Sequence, residues 1–190
     1  MKYIAEQLEL DIKIPNYIEA PHYDKIVNEQ SLFLAGGITG VENWQRRAIT
    51  KLKGIKNLTI LNPRRENFEA FKNDAGFNES EIQIKWEYHH LHIATQVIFW
   101  FSHETVQPIA LFELGARLSE RQSLDLGEMP QEVFIGIHPN YHRKFDLLIQ
   151  VPLHGYSKEH ICDNLDSLID RVMVYNKNLN HFKKLSLCNT

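Results

Sequence analysis

The run Val97-Ile-Phe-Trp-Phe101 limits what this chain can fold into more than any other stretch. Five consecutive apolar residues, β-branched or aromatic, read as a strand buried on both faces, the kind found inside parallel sheets. Parallel neighbours need crossover connections, so helices should alternate with strands on either side of it. The residues C-terminal to the run fit that demand. Ser102 to Gln107 read as a polar loop, and Pro108 stands where a first helical turn tolerates its missing N–H. Ile109, Leu111, Phe112 and Leu114 are expected to turn the new helix into the core. Among them stands one carboxylate, Glu113, on the second turn past the carboxyl end of the strand. Open α/β sheets keep their ligand crevices at that edge, and an acid held there by apolar neighbours needs a partner or a use.

The same grammar recurs along the chain. Ser31 to Gly37 reads as a buried strand ending in two glycines, followed by a helix with Trp44, Ala48, Ile49 and Leu52 on one face and Asn43 as its N-cap. The turn at 36–40 lacks the third glycine of a dinucleotide fingerprint and the Lys-Ser/Thr of a P-loop, so it is either a tight turn or a ligand cradle. Leu58 to Asn62 reads as a second strand, and Pro63 ends it. Arg64 and Arg65 therefore emerge at the same edge, either to pair with a phosphate or carboxylate or as solvated charges. The Asn/Asp/Gly-rich stretch 70–80 is a candidate flap. A helix is expected from Glu79 or Ser80 to about Ala94, with Ile82, Trp86, Leu91 and Ile93 making its apolar contacts. Glu132 to Ile137 reads as a fourth strand, and Leu147 to Leu153 as a short fifth strand or part of a helix. Ser157 is expected to cap a last helix with Ile161, Leu165, Leu168, Ile169 and Val172 as its stripe.

This alternation predicts an α/β fold, a doubly wound parallel sheet of four to five strands flanked by helices. Residues 1–29, with Pro15 and Pro21 and no clear period, read as an N-terminal arm, with a short strand around Leu8 to Ile14. The domain is expected at 30–175, and a polar, Lys-rich tail at 176–190.

Composition narrows the function classes. A formal net charge of −3 gives no electrostatic reason to expect a nucleic acid polymer or an anionic membrane as partner. No apolar run of about 18 residues and no signal-peptide pattern appears, so neither membrane spanning nor secretion is expected. Cys162 and Cys188 read as reduced thiols of a cytoplasmic protein. His89, His90 and His92 crowd one helix end but lack the i, i+4 spacing of a helical zinc site, so no metal or other cofactor is expected.

Four loops are thus expected to converge on one sheet edge: the glycine turn, the Pro-Arg-Arg loop, the loop before Glu113, and His138-Pro-Asn-Tyr141. Glu87 projects from a helix beside them, one turn on from Gln83. Two carboxyls without a metal-ligand set or a serine or cysteine motif leave two readings. One is a core-edge glutamate in a helix pair. The other is a nucleophile at an acetal-like carbon with a second carboxyl as acid or base, the logic of retaining glycoside chemistry.

In order along the chain stand Phe-Leu-Ala-Gly-Gly-Ile at 33–38, Trp-Gln at 44–45, Asn-Pro-Arg-Arg at 62–65, Gln83-Ile-Lys-Trp-Glu87, Phe-Trp-Phe at 99–101 and Pro-Ile-Ala-Leu-Phe-Glu-Leu-Gly at 108–115. The set resembles the nucleoside 2-deoxyribosyltransferase-like family, which includes nucleotide N-glycosidases, over roughly residues 31 to 146. The resemblance implies a flavodoxin-like domain that cleaves the N-glycosidic bond of a nucleoside or nucleotide and passes the (deoxy)ribosyl group to another base or to water. Glu113 would be the nucleophile at C1′, and Glu87 would orient the sugar hydroxyls or the nucleophile. Gln45 and the backbone of Gly36 and Gly37 would line the base or sugar side. Asn62, Arg64, Arg65 and Trp86 lie in the matching motifs, and Arg64 and Arg65 would suit a 5′-phosphate. The family completes its sites across a subunit boundary, which implies a homo-oligomer, with Tyr141 and Arg143 as candidate contributors.

Two positions depart from the pattern. Gln107 stands where the transferases carry an acid that meets the base, with Glu104 three residues earlier. Gln96 replaces an aspartate at the start of the strand. An amide bonds a base but does not protonate a leaving group. The alternative reading is therefore a nucleotide-binding or sensing module that kept the crevice and lost the chemistry.

Overall fold

A computed structural model describes residues 16–65, 77–122 and 131–187. It contains one parallel five-stranded sheet, built from β1 (Tyr17–Glu19), β2 (Gln30–Gly36), β3 (Leu58–Asn62), β4 (Gln96–Phe101) and β5 (Glu132–Ile137). Their spatial order is β1-β3-β2-β4-β5. The helices α1 (Trp44–Leu52), α2 (Phe77–Ile93), α3 (Pro108–Gln122), α4 (Lys144–Leu153) and α5 (Leu165–Leu187) flank it. This is the flavodoxin-like, doubly wound arrangement.

Side-chain alternation along each strand divides the core in two. Phe33, Ala35, Val97, Phe99 and Phe101 pack with Trp86 of α2, Ala110 and Leu114 of α3 and Leu147 of α4. Leu32, Leu34, Ile98 and Trp100 point the other way, onto Trp44 and Ile49 of α1 and Leu168 and Val172 of α5. All six residues of β4 are buried, as a strand covered on both faces must be. The chain leaves β2 toward one face and β4 toward the other, and these strands are neighbours, with Gly36 opposite Trp100. The loops after them therefore part, and a crevice opens between them at the carboxyl edge.

Several elements differ from the sequence reading. The fifth strand is Tyr17–Glu19, a three-residue edge strand on β3 that is too short to show a period. Of the two readings for Leu147 to Leu153, the helical one holds, since they belong to helix α4. Ser157 precedes only a turn of 3-10 helix at Lys158–His160, and the cap of α5 is Asn164, whose Oδ1 accepts from the Ser167 N–H at 2.8 Å. Helix α5 continues past residue 176 to Leu187. On α3 the inward residues are Ala110, Leu114 and Leu118, one helical stripe, which leaves Ile109 65% and Phe112 76% exposed. On α2, Trp86 and Leu91 are buried whereas Ile82 and Ile93 are largely exposed. The arm strand at Leu8 to Ile14 lies outside the described residues, as does the stretch 70–76 of the candidate flap; residues 77–80 begin α2. Asn43 does cap α1, accepting from the Arg46 N–H at 3.0 Å.

Candidate active site

The glycine turn is shaped by what approaches it. Gly36 has φ +149°, and a Cβ there would meet the Trp100 carbonyl oxygen at 2.5 Å and the Trp44 ring at 2.9 Å. Only glycine fits this conformation and this clearance. Gly37 is held by three side chains. Its carbonyl accepts from Trp44 Nε1 at 3.0 Å and Gln45 Nε2 at 3.1 Å, while its N–H donates to Gln107 Oε1 at 2.9 Å. That N–H is therefore engaged by the protein. Gln107 in turn donates through Nε2 to the Ser102 carbonyl and hydroxyl at 3.0 and 2.8 Å. The two loops of the crevice are tied by one amide.

Between these loops lies a cavity of about 360 Å³, within the range of small-ligand sites. Its walls include Phe33, Gly36, Gly37, Pro63, Val106 and Ile109, and both Glu87 and Glu113 open onto it. The two carboxyls singled out from the sequence thus share one cavity. Three of the four expected loops contribute; the His138 loop does not line the cavity. It braces a wall instead, since the Tyr141 hydroxyl donates to the Val106 carbonyl.

Glu113 stands three positions after Ala110, so it shares the stripe that faces the sheet edge. Among the described residues nothing hydrogen-bonds or ion-pairs with its carboxyl. Burial and the nearby charge of Glu87 raise its pKa to about 8, opposed by Arg117. The pKa of Glu87 is raised as well, because burial outweighs the hydrogen bond from Gln83 and the charge of Arg65. Neighbouring carboxyls with little solvent do not both ionise readily, so the pair retains a proton near neutral pH.

The remaining candidates serve as supports. Arg64 spans the glycine turn, donating to the carbonyls of Ile38, Val41 and Glu42 and to Gln45 Oε1, at 3.0 to 3.2 Å. Gln45 is fully buried beneath the turn and does not line the cavity. Asn62 accepts from the Arg64 N–H at 3.1 Å and donates to the Tyr17 hydroxyl at 2.9 Å, closing the turn after β3. Arg65 donates through Nε to Gln83 Oε1 at 2.7 Å. Trp86 has no exposed surface, and its Nε1 donates to the His22 carbonyl at 2.8 Å. Gln96 is at the amino end of β4, at the opposite sheet edge, in a reciprocal amide pair with Asn176 at 2.8 and 3.0 Å. It therefore touches nothing in the cavity.

Arg117 escaped the sequence reading. It is 7% exposed, one turn beyond Glu113, and Nη2 serves the Glu120 carboxylate and His92 Nε2. Its i, i+4 offset from Glu113 was the available signal. Among the described residues, no group of three or more His, Cys, Asp or Glu side chains could hold a metal ion, and no helix is long and apolar enough to cross a membrane.

No curated protein matches the chain. A family model described as nucleoside 2-deoxyribosyltransferase like matches residues 29–124, just over half of the sequence and the whole span from β2 through α3. The carboxyl pair at the β2/β4 crevice and this match lead to one assignment: the chain belongs to the nucleoside 2-deoxyribosyltransferase-like family.

Proposed function

We propose that this protein cleaves the N-glycosidic bond of a nucleoside, with Glu113 attacking C1′ and the resulting glycosyl ester passing to a second base or to water. The observation that carries this reading is the placing of Glu113, a carboxyl without a protein partner among the described residues, beside Glu87 in a mostly apolar cavity. A nucleophile needs that freedom, and burial makes its ionised form costly until a sugar carbon with developing positive charge arrives.

The cavity also favours an uncharged nucleoside over a 5′-nucleotide. It holds two carboxyls, and no Lys or Arg lines it among the described residues. Arg64 is committed to the glycine turn and Arg65 to Gln83. A phosphate carries about −1.5 to −2 charges near neutral pH and would meet repulsion without a counter-charge. The test incubates deoxy- and ribonucleosides and their 5′-monophosphates with and without a free base, and tracks released and exchanged base by chromatography. Base release from nucleosides, lost in Glu113→Gln, together with a 2-fluoro sugar trapped on Glu113, supports the reading. Ligand binding without base release from any of them selects a sensing module instead.

A further inference from the structure

Gln83 is a buried amide whose two ends have different partners. Its Oε1 accepts from Arg65 Nε at 2.7 Å. Its Nε2 donates to the Pro63 carbonyl at 2.8 Å and to Glu87 Oε1 at 2.6 Å. A guanidinium only donates and a backbone carbonyl only accepts, so both contacts dictate one orientation and the amide cannot turn over. Glu87 Oε1 therefore always faces an N–H. When Glu87 takes up a proton, Oε2 is the oxygen that carries it. Resting on the glycosyl-transfer reading above, we infer that Arg65 and Gln83 form a positioning relay that fixes the Glu87 proton on Oε2 and makes Glu87 the acid that meets the departing base.

The relay answers a gap left by Gln107. The amide at that position is spent on Gly37 and Ser102 and donates no acidic proton. Glu87 is the other carboxyl of the cavity; burial favours its protonated form, against the Gln83 hydrogen bond and the Arg65 charge. The one proton the pair shares has to sit on Glu87 rather than Glu113 when the nucleophile acts. The groups acting on the pair are Arg65 from the loop after β3, and Glu113 and Arg117 from α3. In the first step the Glu113 carboxylate bonds to C1′ as the C1′–N bond breaks. The bonding pair leaves with the base, and the proton on Glu87 Oε2 passes to it. In the second, water or an acceptor base attacks C1′ and gives its proton to Glu87, freeing the Glu113 carboxylate.

The experiment compares a 2′-deoxynucleoside with p-nitrophenyl 2-deoxyriboside, whose nitrophenolate departs without a proton. Gln83→Leu should slow base release about 10- to 100-fold, the low end of general-acid effects, with KM within about threefold. Nitrophenolate release should fall by less than about threefold. Arg65→Met should show the same pattern more weakly. Gln83→Glu keeps the size and the bond to Arg65 but loses the N–H toward Glu87, and should match Gln83→Leu if the latter folds poorly. Equal loss on both substrates, or loss on neither, overturns the relay. Loss of both activities in Glu113→Gln tests the underlying reaction separately. Independently of turnover, the carboxyl carbon of Glu87, monitored by NMR, should titrate at higher pH in Gln83→Leu. An unmoved midpoint overturns the relay even if no sugar is cleaved.

Discussion

Gln107 accepts the amide proton of Gly37 at 2.9 Å, joining two loops that lie 70 residues apart in sequence. The bond is made by an amide, which has no acidic proton to give. Its chemistry is mechanical, since it holds the β2 and β4 loops at a fixed spacing across the crevice. Gln107 has φ +55°, an uncommon conformation for a residue other than glycine, which the three hydrogen bonds of its side chain maintain.

Gln107→Leu should leave the Gly37 N–H buried without an acceptor. That costs roughly 1–3 kcal/mol, or about 2–4 °C of Tm per kcal/mol in a chain of this size. Thermal unfolding should record the drop, and KM for a nucleoside should rise as the loops part. A variant with unchanged Tm and KM would mean that the tie contributes nothing.

Glu113→Gln should abolish turnover while stabilising the fold, and the stabilisation should grow with pH. The carboxyl has a folded pKa of about 8, above the ordinary value of 4.5. Below the unfolded value both states bind the proton and its contribution is intact. As pH rises toward about 8 the unfolded state releases the proton first, so stability drains at up to roughly 1.4 kcal/mol per pH unit. The amide does not titrate. The Tm difference between variant and wild type should therefore widen from pH 5 to pH 8 and then level off. A difference independent of pH would place the Glu113 carboxyl in water.

Gln96→Leu should weaken the fold without touching the chemistry. The change takes the donor from the buried Asn176 Oδ1 and leaves its Nδ2 only the Val172 carbonyl, at roughly 1–3 kcal/mol. Because Gln96 stands at the amino edge of the sheet, kcat/KM should stay within about threefold of wild type at a temperature where both are folded. A selective loss of activity would return Gln96 to the site.

The parts of the fold legible in sequence were those written in period and punctuation. The apolar runs at 31–37 and 97–101 gave two central strands, and Pro108 marked the first residue of α3. Tyr17–Glu19 was hidden because three residues carry no alternation and depend on the exposed edge of β3. The carboxyl pair was legible since its two motifs flank the β4 strand. The duties of the polar residues around it were not. Arg64, Gln45 and Asn62 carry ligand-like side chains, yet each bonds backbone or side chains contributed by other segments, and sequence spacing does not encode which carbonyl a guanidinium will reach.

Arg64 provides the sharpest test of that distinction. Its guanidinium gathers three backbone carbonyls and the Gln45 side chain, so it shapes the turn that forms one cavity wall. Arg64→Ala strands those acceptors, and the turn, whose glycines permit other conformations, should loosen. Tm should fall by several degrees, on the scale of about 2–4 °C per kcal/mol. The kcat/KM for a nucleoside should drop about tenfold or more, as expected when a support for the reacting geometry is lost. A phosphate-binding arginine would behave differently, because its removal penalises the 5′-monophosphate and spares the nucleoside. The ratio of kcat/KM for the two substrates should therefore stay constant within about threefold in Arg64→Ala. If the ratio falls in the variant while Tm holds, Arg64 meets phosphate and the clamp assigned to it is wrong.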